Sequence, residues 1–258
     1  MVSPVKFAIS HTHKYHPSPR LSANQVADYL SANATNRRRI LSEAKYPPTM
    51  ILVRYDDART AVSAHLASNG DKKNILVDAL TSLIRKAERE DITDYKRQNY
   101  KLCKDAIEGF QAAEATMGVD AMKFRASDIQ QSKLKLSGVS VSVFLDLLIE
   151  RIDGKGNNLL GGAVLVFSKG GGPDKNIEAR CLAIALLVHE VLKQRLKAED
   201  KCDPTLCIAI DIFNGKVYRA KSQQKQLLKT VETSCQEVAT VWPAIRPPTN
   251  YNGPPIPE

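Results

Sequence analysis

The sequence predicts an α/β protein of mixed α+β type, in which a helical N-terminal region precedes a mixed β-sheet core of order β-β-α-β-β-α. Three features carry that expectation. From Ser22 to Thr116 apolar residues recur at spacings of three and four, the period of a helix with one buried face. Around Phe124 the period drops to two, and Val139, Val141, Val143, Leu145, Leu147 and Ile149 alternate with more polar neighbours, as in a half-buried strand. Asn214-Gly215 then separates two strand-like runs, and the left-handed backbone that such a pair tolerates matches a tight hairpin turn.

Residues 1–20 hold Pro4, Pro17 and Pro19 among polar residues and read as a lead-in tail with a short strand at 5–9. Ser22 stands where an N-cap belongs, ahead of Val26, Tyr29 and Leu30. Thr35 is placed to cap a second short helix carrying Arg37, Arg38, Arg39, Ile40 and Leu41. Pro47 and Pro48 close that segment, because the residue before a proline is pushed out of the helical region. Ala58, Ala61, Val62 and Leu66 mark a helix over about 55–67, ended by Asn69-Gly70 in a left-handed conformation. Ile75, Leu76, Ala79, Leu80, Leu83 and Ile84 mark the next. Tyr100, Cys103, Ile107 and Phe110 mark a long helix over about 93–116 that Gly118 breaks. The helical region is thus expected over 21–123.

The core is expected over 124–246. There 139–149 reads as one strand and 162–169 as a second, joined by the polar loop at 153–158, with Gly170-Gly171-Gly172-Pro173 ending the second. A helix over about 177–198 is apolar on most sides, and Lys193, Arg195 and Lys197 near its end complement the helix dipole. Strands at 206–213 and 216–220 form the hairpin. A last helix over about 223–241 packs through Leu227, Leu228, Val231, Cys235 and Val238, with Trp242 as its anchor before a proline-rich tail at 247–258. No period of 20 to 50 residues repeats, which excludes solenoids.

Bulk properties narrow the function classes. The chain has 258 residues, 43% apolar and 25% charged, values ordinary for a folded globular protein. Its 37 Lys and Arg against 28 Asp and Glu give +9, which favours polyanionic partners, nucleic acid foremost. Five widely spaced cysteines without a C-x-x-C pair indicate neither a disulfide framework nor a zinc knuckle, and fit a reducing cytoplasm. His11, His13 and Lys14 stand where a signal peptide needs an apolar core, and no apolar run approaches about 18 residues, so neither secretion by that route nor a membrane span is expected.

Metal-dependent phosphodiester cleavage needs carboxylates to hold divalent cations and a lysine to orient the attacking water and steady the developing charge. Phe144-Leu145-Asp146-Leu147-Leu148 is similar to the acid-bearing strand of the PD-(D/E)XK nuclease superfamily, and Phe167-Ser168-Lys169 falls where that superfamily has its D/E-x-K tripeptide. The resemblance covers about 105–220 and rests on element order more than on sequence. It implies a restriction-endonuclease-like core in which Asp146 binds Mg²⁺ or Mn²⁺ and Lys169 is the catalytic lysine. The implied activity is hydrolysis of DNA or RNA, and by fold analogy the setting is a bacterial phage-defence or mobile-element system. Phe167 stands in the second acid's place and cannot bind a cation. Glu178, at the start of the following helix, is the substitute metal ligand and catalytic acid that the resemblance implies, and Glu150 is a further option. The same departure fits a non-catalytic interaction subunit whose helical region docks a partner chain.

Simpler roles stand beside these. An aspartate on the polar face of a half-buried strand is more often solvated or salt-bridged than catalytic, a lysine at a strand end ordinarily faces solvent, and Glu178 suits a helix first turn on electrostatic grounds alone. Arg37, Arg38 and Arg39 offer phosphate-backbone contacts or a solvated basic face. The triple glycine lacks the spacing of a phosphate loop, and His11, His13 and His16 have no paired Cys to complete a metal site. Neither a Ser/His/Asp order nor a nucleophile elbow is present.

Overall fold

Ser22 opens the first helix as its neighbours require. Its hydroxyl accepts from the Gln25 N–H at 3.2 Å while the Gln25 side chain accepts from the Ser22 N–H at 2.8 Å, a reciprocal capping box. The computed structural model describes residues 11–50, 54–69, 74–119, 122–127, 132–168, 176–195, 201–221 and 224–256. Strand β1 (Arg20–Ser22) leads into α1 (Ala23–Ser31) and α2 (Ala34–Lys45). The cap of α2 is Asn33 rather than Thr35: Asn33 Oδ1 accepts from the Asn36 N–H at 2.9 Å, and Thr35 lies inside the first turn. Helices α3 (Asp56–Ala67), α4 (Ile75–Glu88) and α5 (Asp94–Met117) follow, the last ended by Gly118 at φ 65°. The strand expected at 5–9 lies outside the described residues.

The second half holds more strands than expected. They are β2 (Lys123–Ala126), β3 (Ser132–Leu136), β4 (Val139–Val143), β5 (Leu147–Ile152) and β6 (Asn158–Val166), then α6 (Ile177–Arg195), β7 (Lys201–Asp211), β8 (Lys216–Arg219) and α7 (Lys225–Val241). The molecule is of the α+β class, with seven helices and two mixed sheets among the described residues. The run 139–149 is two strands, not one. β4 belongs to a three-stranded sheet of order β1-β4-β3, and β5 to a five-stranded sheet of order β2-β5-β6-β7-β8. The alternation survives the break because Val139, Val141 and Val143 enter one apolar cluster while Leu147 and Ile149 enter another. A period of two records which residues are buried and is blind to a change of partner sheet.

Strands β6 and β7 are parallel and joined through α6, so both faces of the five-stranded sheet are covered. On one face Leu148, Val164, Val166 and Ala209 pack with α1, α2, α6 and α7; on the other Leu147, Ala163, Leu165, Ile208 and Ile210 pack with α3, α4 and α5. Each cluster draws on both halves of the chain, so the boundary near residue 124 marks a change of secondary structure and not a division between cores. Two glycines admit close approaches. A Cβ on Gly161 would lie 2.2 Å from the Leu206 carbonyl oxygen, and one on Gly215, in the left-handed region at φ 63°, would lie 2.4 Å from Ala113 Cβ. Gly215 ends a four-residue loop (212–215) between β7 and β8, and Asp211, the last residue of β7, accepts from the Asn214 side chain at 2.6 Å.

The two end segments are tied together. The Thr12 N–H donates to the Asn252 carbonyl at 2.8 Å, Trp242 Nε1 donates to the His16 carbonyl at 3.2 Å, and Tyr46 packs edge-on against Tyr251. Lys45, buried, donates from Nζ to the carbonyls of Trp242, Pro243 and Ile245 at 2.8, 3.2 and 3.0 Å, just past the end of α7. No described helix is long and apolar enough to cross a membrane.

Candidate functional site

Asp146 lies in the turn between β4 and β5, where its own N–H donates to the Ala163 carbonyl at 3.0 Å. That bond sets the side chain against β6, and the carboxylate accepts from the Leu165 N–H at 2.7 Å. Helix α3 supplies the counter-charge: Arg59 Nη1 donates to both carboxylate oxygens at 2.7 Å. The Asp146 side chain is 1% exposed and that of Arg59 26%. Burial pushes the Asp146 carboxyl upward from its ordinary value, against the Arg59 charge, the Arg59 hydrogen bonds and the Leu165 N–H. The observed geometry is that of an ion pair.

Phe167 completes this arrangement as an aromatic floor. The Arg59 guanidinium lies over its ring at 5.0 Å, the ring stacks on Tyr55 at 5.3 Å, and Phe213 meets Tyr55 edge-on at 5.7 Å. Tyr55 is held in the left-handed region at φ 63° as the residue preceding α3, and its carbonyl accepts from the Arg59 N–H. Above the pair opens a groove of about 540 Å³ with Asp56, Thr60, Ser63, Ser127 and Phe144 along its walls. Phe144, expected on the polar face of a strand, is 52% exposed there.

The other residues singled out by the sequence have separate surroundings where they are described. Lys169 and the triple glycine lie outside the described residues. Glu178 is exposed in the first turn of α6. Glu150, on β5, pairs with Arg125 on β2. Arg37 covers the Tyr29 ring at 4.7 Å, donates from Nε to the Tyr29 carbonyl and reaches Glu237 at 3.6 Å. Arg39 pairs with Glu43 at 2.8 Å, and Arg38 is exposed. Two of the three arginines are therefore engaged within the protein, and none of the three lines the groove beside Asp146.

Arg59 is the residue that sequence reasoning missed. It lies 87 positions from Asp146, on a helix whose apolar spacing says nothing about the fate of its polar side chains. A hard divalent cation takes six or so oxygen ligands. At Asp146 the oxygens already serve Arg59 and Leu165, Phe167 offers no donor, and no group of three or more His, Cys, Asp or Glu able to hold a metal occurs among the described residues. The described residues around Asp146 thus do not compose a site for Mg²⁺ or Mn²⁺. The chain matches no model of a known family, and a search of curated proteins returned no match.

Proposed function

We propose that the chain is a nucleic-acid-binding protein, and that the groove beside Asp146 holds an unpaired stretch of DNA or RNA without hydrolysing it. The observation that carries this reading is the hold of Arg59 on both oxygens of Asp146, which turns the acid from a prospective metal ligand into a fixed wall of the groove. What the groove presents outward is the Phe144 ring, a flat apolar face suited to stacking a base, beside the hydroxyls of Thr60 and Ser63. Asp56 on the rim repels phosphate, so contacts on that side fall on base and sugar. The net charge of +9 supplies the long-range attraction.

Fluorescence anisotropy with labelled single-stranded and duplex oligonucleotides tests this reading. Single strands are expected to bind with strongly salt-dependent affinity, and Phe144→Ala is expected to weaken binding by about 1 to 3 kcal/mol, the usual value of one base stack. Absence of binding at low salt would overturn it in favour of a protein-interaction subunit.

The metal-dependent nuclease is the second reading, favoured by one observation: Asp146 bonds to the backbone of β6, the strand that leads directly to Lys169. That reading requires the cation to displace Arg59. Mn²⁺-dependent degradation of DNA or RNA, abolished by both Asp146→Ala and Lys169→Ala, would establish it and remove the non-hydrolytic one. A role in phage defence would then be read as loss of protection in cells carrying either variant.

A further inference from the structure

We propose that Cys202 and Cys207 are an oxidation site, closing to a reversible intramolecular disulfide across a bulge in β7. The bulge is plain in the register. β6 pairs Leu160 with Cys202 and Gly162 with Cys207, so β7 spends five positions where β6 spends two, and residues 203–206 swing out of the ladder. Gly161 makes room for this excursion by letting the Leu206 carbonyl press against the β6 backbone. The swing turns the two thiols toward each other, with Sγ to Sγ at 3.8 Å. Thr205 donates to Asp203 Oδ1 from its N–H and its hydroxyl, both at 2.8 Å, and Asp203 pairs with Arg151, which pins the loop in this shape.

The two sulfurs differ in a way that orders the chemistry. Cys202 is partly exposed and Cys207 is buried, so an oxidant reaches Cys202 first. The hydrogen-bonding contact with the Cys207 sulfur lowers the Cys202 thiol below its usual value, helped by the nearby His189, against burial and the charges of Asp203 and Glu190. Cys207 is pushed well up by the same bond and by burial. His189 lies at hand because Glu190 holds its Nδ1 at 3.2 Å.

With hydrogen peroxide as oxidant, the Cys202 thiolate attacks one peroxide oxygen. The O–O bond breaks, and the departing hydroxide takes a proton to become water, leaving a sulfenic acid on Cys202. Cys207 then gives up its proton, and its sulfur attacks the sulfenic sulfur and expels the second water. Two thiols lose two electrons and two protons in all, and one peroxide becomes two waters. Bond formation brings the sulfurs from 3.8 Å to roughly 2.0 Å, a shift taken up in residues 203–206, which stand outside the β6 ladder and are held by side-chain bonds from Asp203 and Arg219.

Both cysteines fall in one tryptic peptide, 202–216, which makes the test direct. Reduced full-length protein is treated with hydrogen peroxide, alkylated after denaturation and mapped by mass spectrometry. The expected product is peptide 202–216 unalkylated and lighter by two hydrogens, restored by dithiothreitol, with Cys103, Cys181 and Cys235 alkylated. Cys207→Ser is expected to leave a sulfenic acid on Cys202 that dimedone traps, and Cys202→Ser to slow peroxide consumption by about tenfold or more. If Cys207→Ser fails to fold, the wild-type peptide map and the variant at the partly exposed position, Cys202→Ser, decide the matter. A free dithiol in peptide 202–216 after treatment, sulfinic acid without a crosslink, or a bond to any other cysteine would overturn the proposal.

Discussion

Arg59 and Asp146 make the sharpest claim at the scale of single residues. The aspartate has given up nearly all its water, so removing the guanidinium leaves a carboxylate with one backbone N–H for company. Arg59→Met is expected to cost about 3 to 5 kcal/mol in urea unfolding, whereas the double variant Arg59→Met, Asp146→Leu recovers most of that loss. Equal losses in the single and double variants would contradict a true pair. His189 and Glu190 carry a pH signature. Their hydrogen bond holds the imidazole above 6.5 and the carboxyl below 4.5. The raised histidine contributes fully below pH 6.5 and its share is lost as pH rises through the folded value; the lowered glutamate contributes fully above pH 4.5 and its share is lost as pH falls through its own. Glu190→Gln should therefore lower Tm more near pH 5.5 than near pH 8, and equal shifts would dismiss the pairing. At this scale the sequence was least legible. Asp146 could be singled out, and a salt bridge was among the fates open to it, but its partner comes from another element and Phe167 acquires its purpose as a floor for Arg59 only when that partner arrives.

Elements were read more reliably, because each local pattern answers to its own physics. The capping box at Ser22, the hairpin at Asn214-Gly215 and the all-round apolar α6 follow from cap chemistry, turn geometry and burial on several sides. The split of 139–149 was invisible, since both pieces bury odd-numbered residues and only the long-range pairing with β1 and β3 or with β2 and β6 separates them. Two variants probe how elements are held. Lys45→Met removes three hydrogen bonds at the carbonyl end of α7 and is expected to cost about 2 kcal/mol in urea unfolding, with the loss reported by Trp242 fluorescence. Gly161→Ala puts a methyl group against a backbone oxygen that cannot rotate away, and about 1 to 3 kcal/mol of destabilisation is expected in the same assay.

At the scale of the molecule, one sheet with apolar cover on both faces unites the helical region and the strands into shared cores. The α+β class was legible because composition and period are averages over many residues. The placement of the end segments was not, since residues 11–20 and 247–256 are mostly polar and proline-bearing, and carry no periodic signal. Yet backbone bonds link residues 12 and 13 to residue 252. A donor and an acceptor fluorophore attached at positions 12 and 252 would therefore sit at near-contact range in the native state. Loss of energy transfer between them on adding urea would follow the parting of the outermost segments, and its midpoint compared with that of Trp242 emission would tell whether this clasp opens ahead of the interior or together with it.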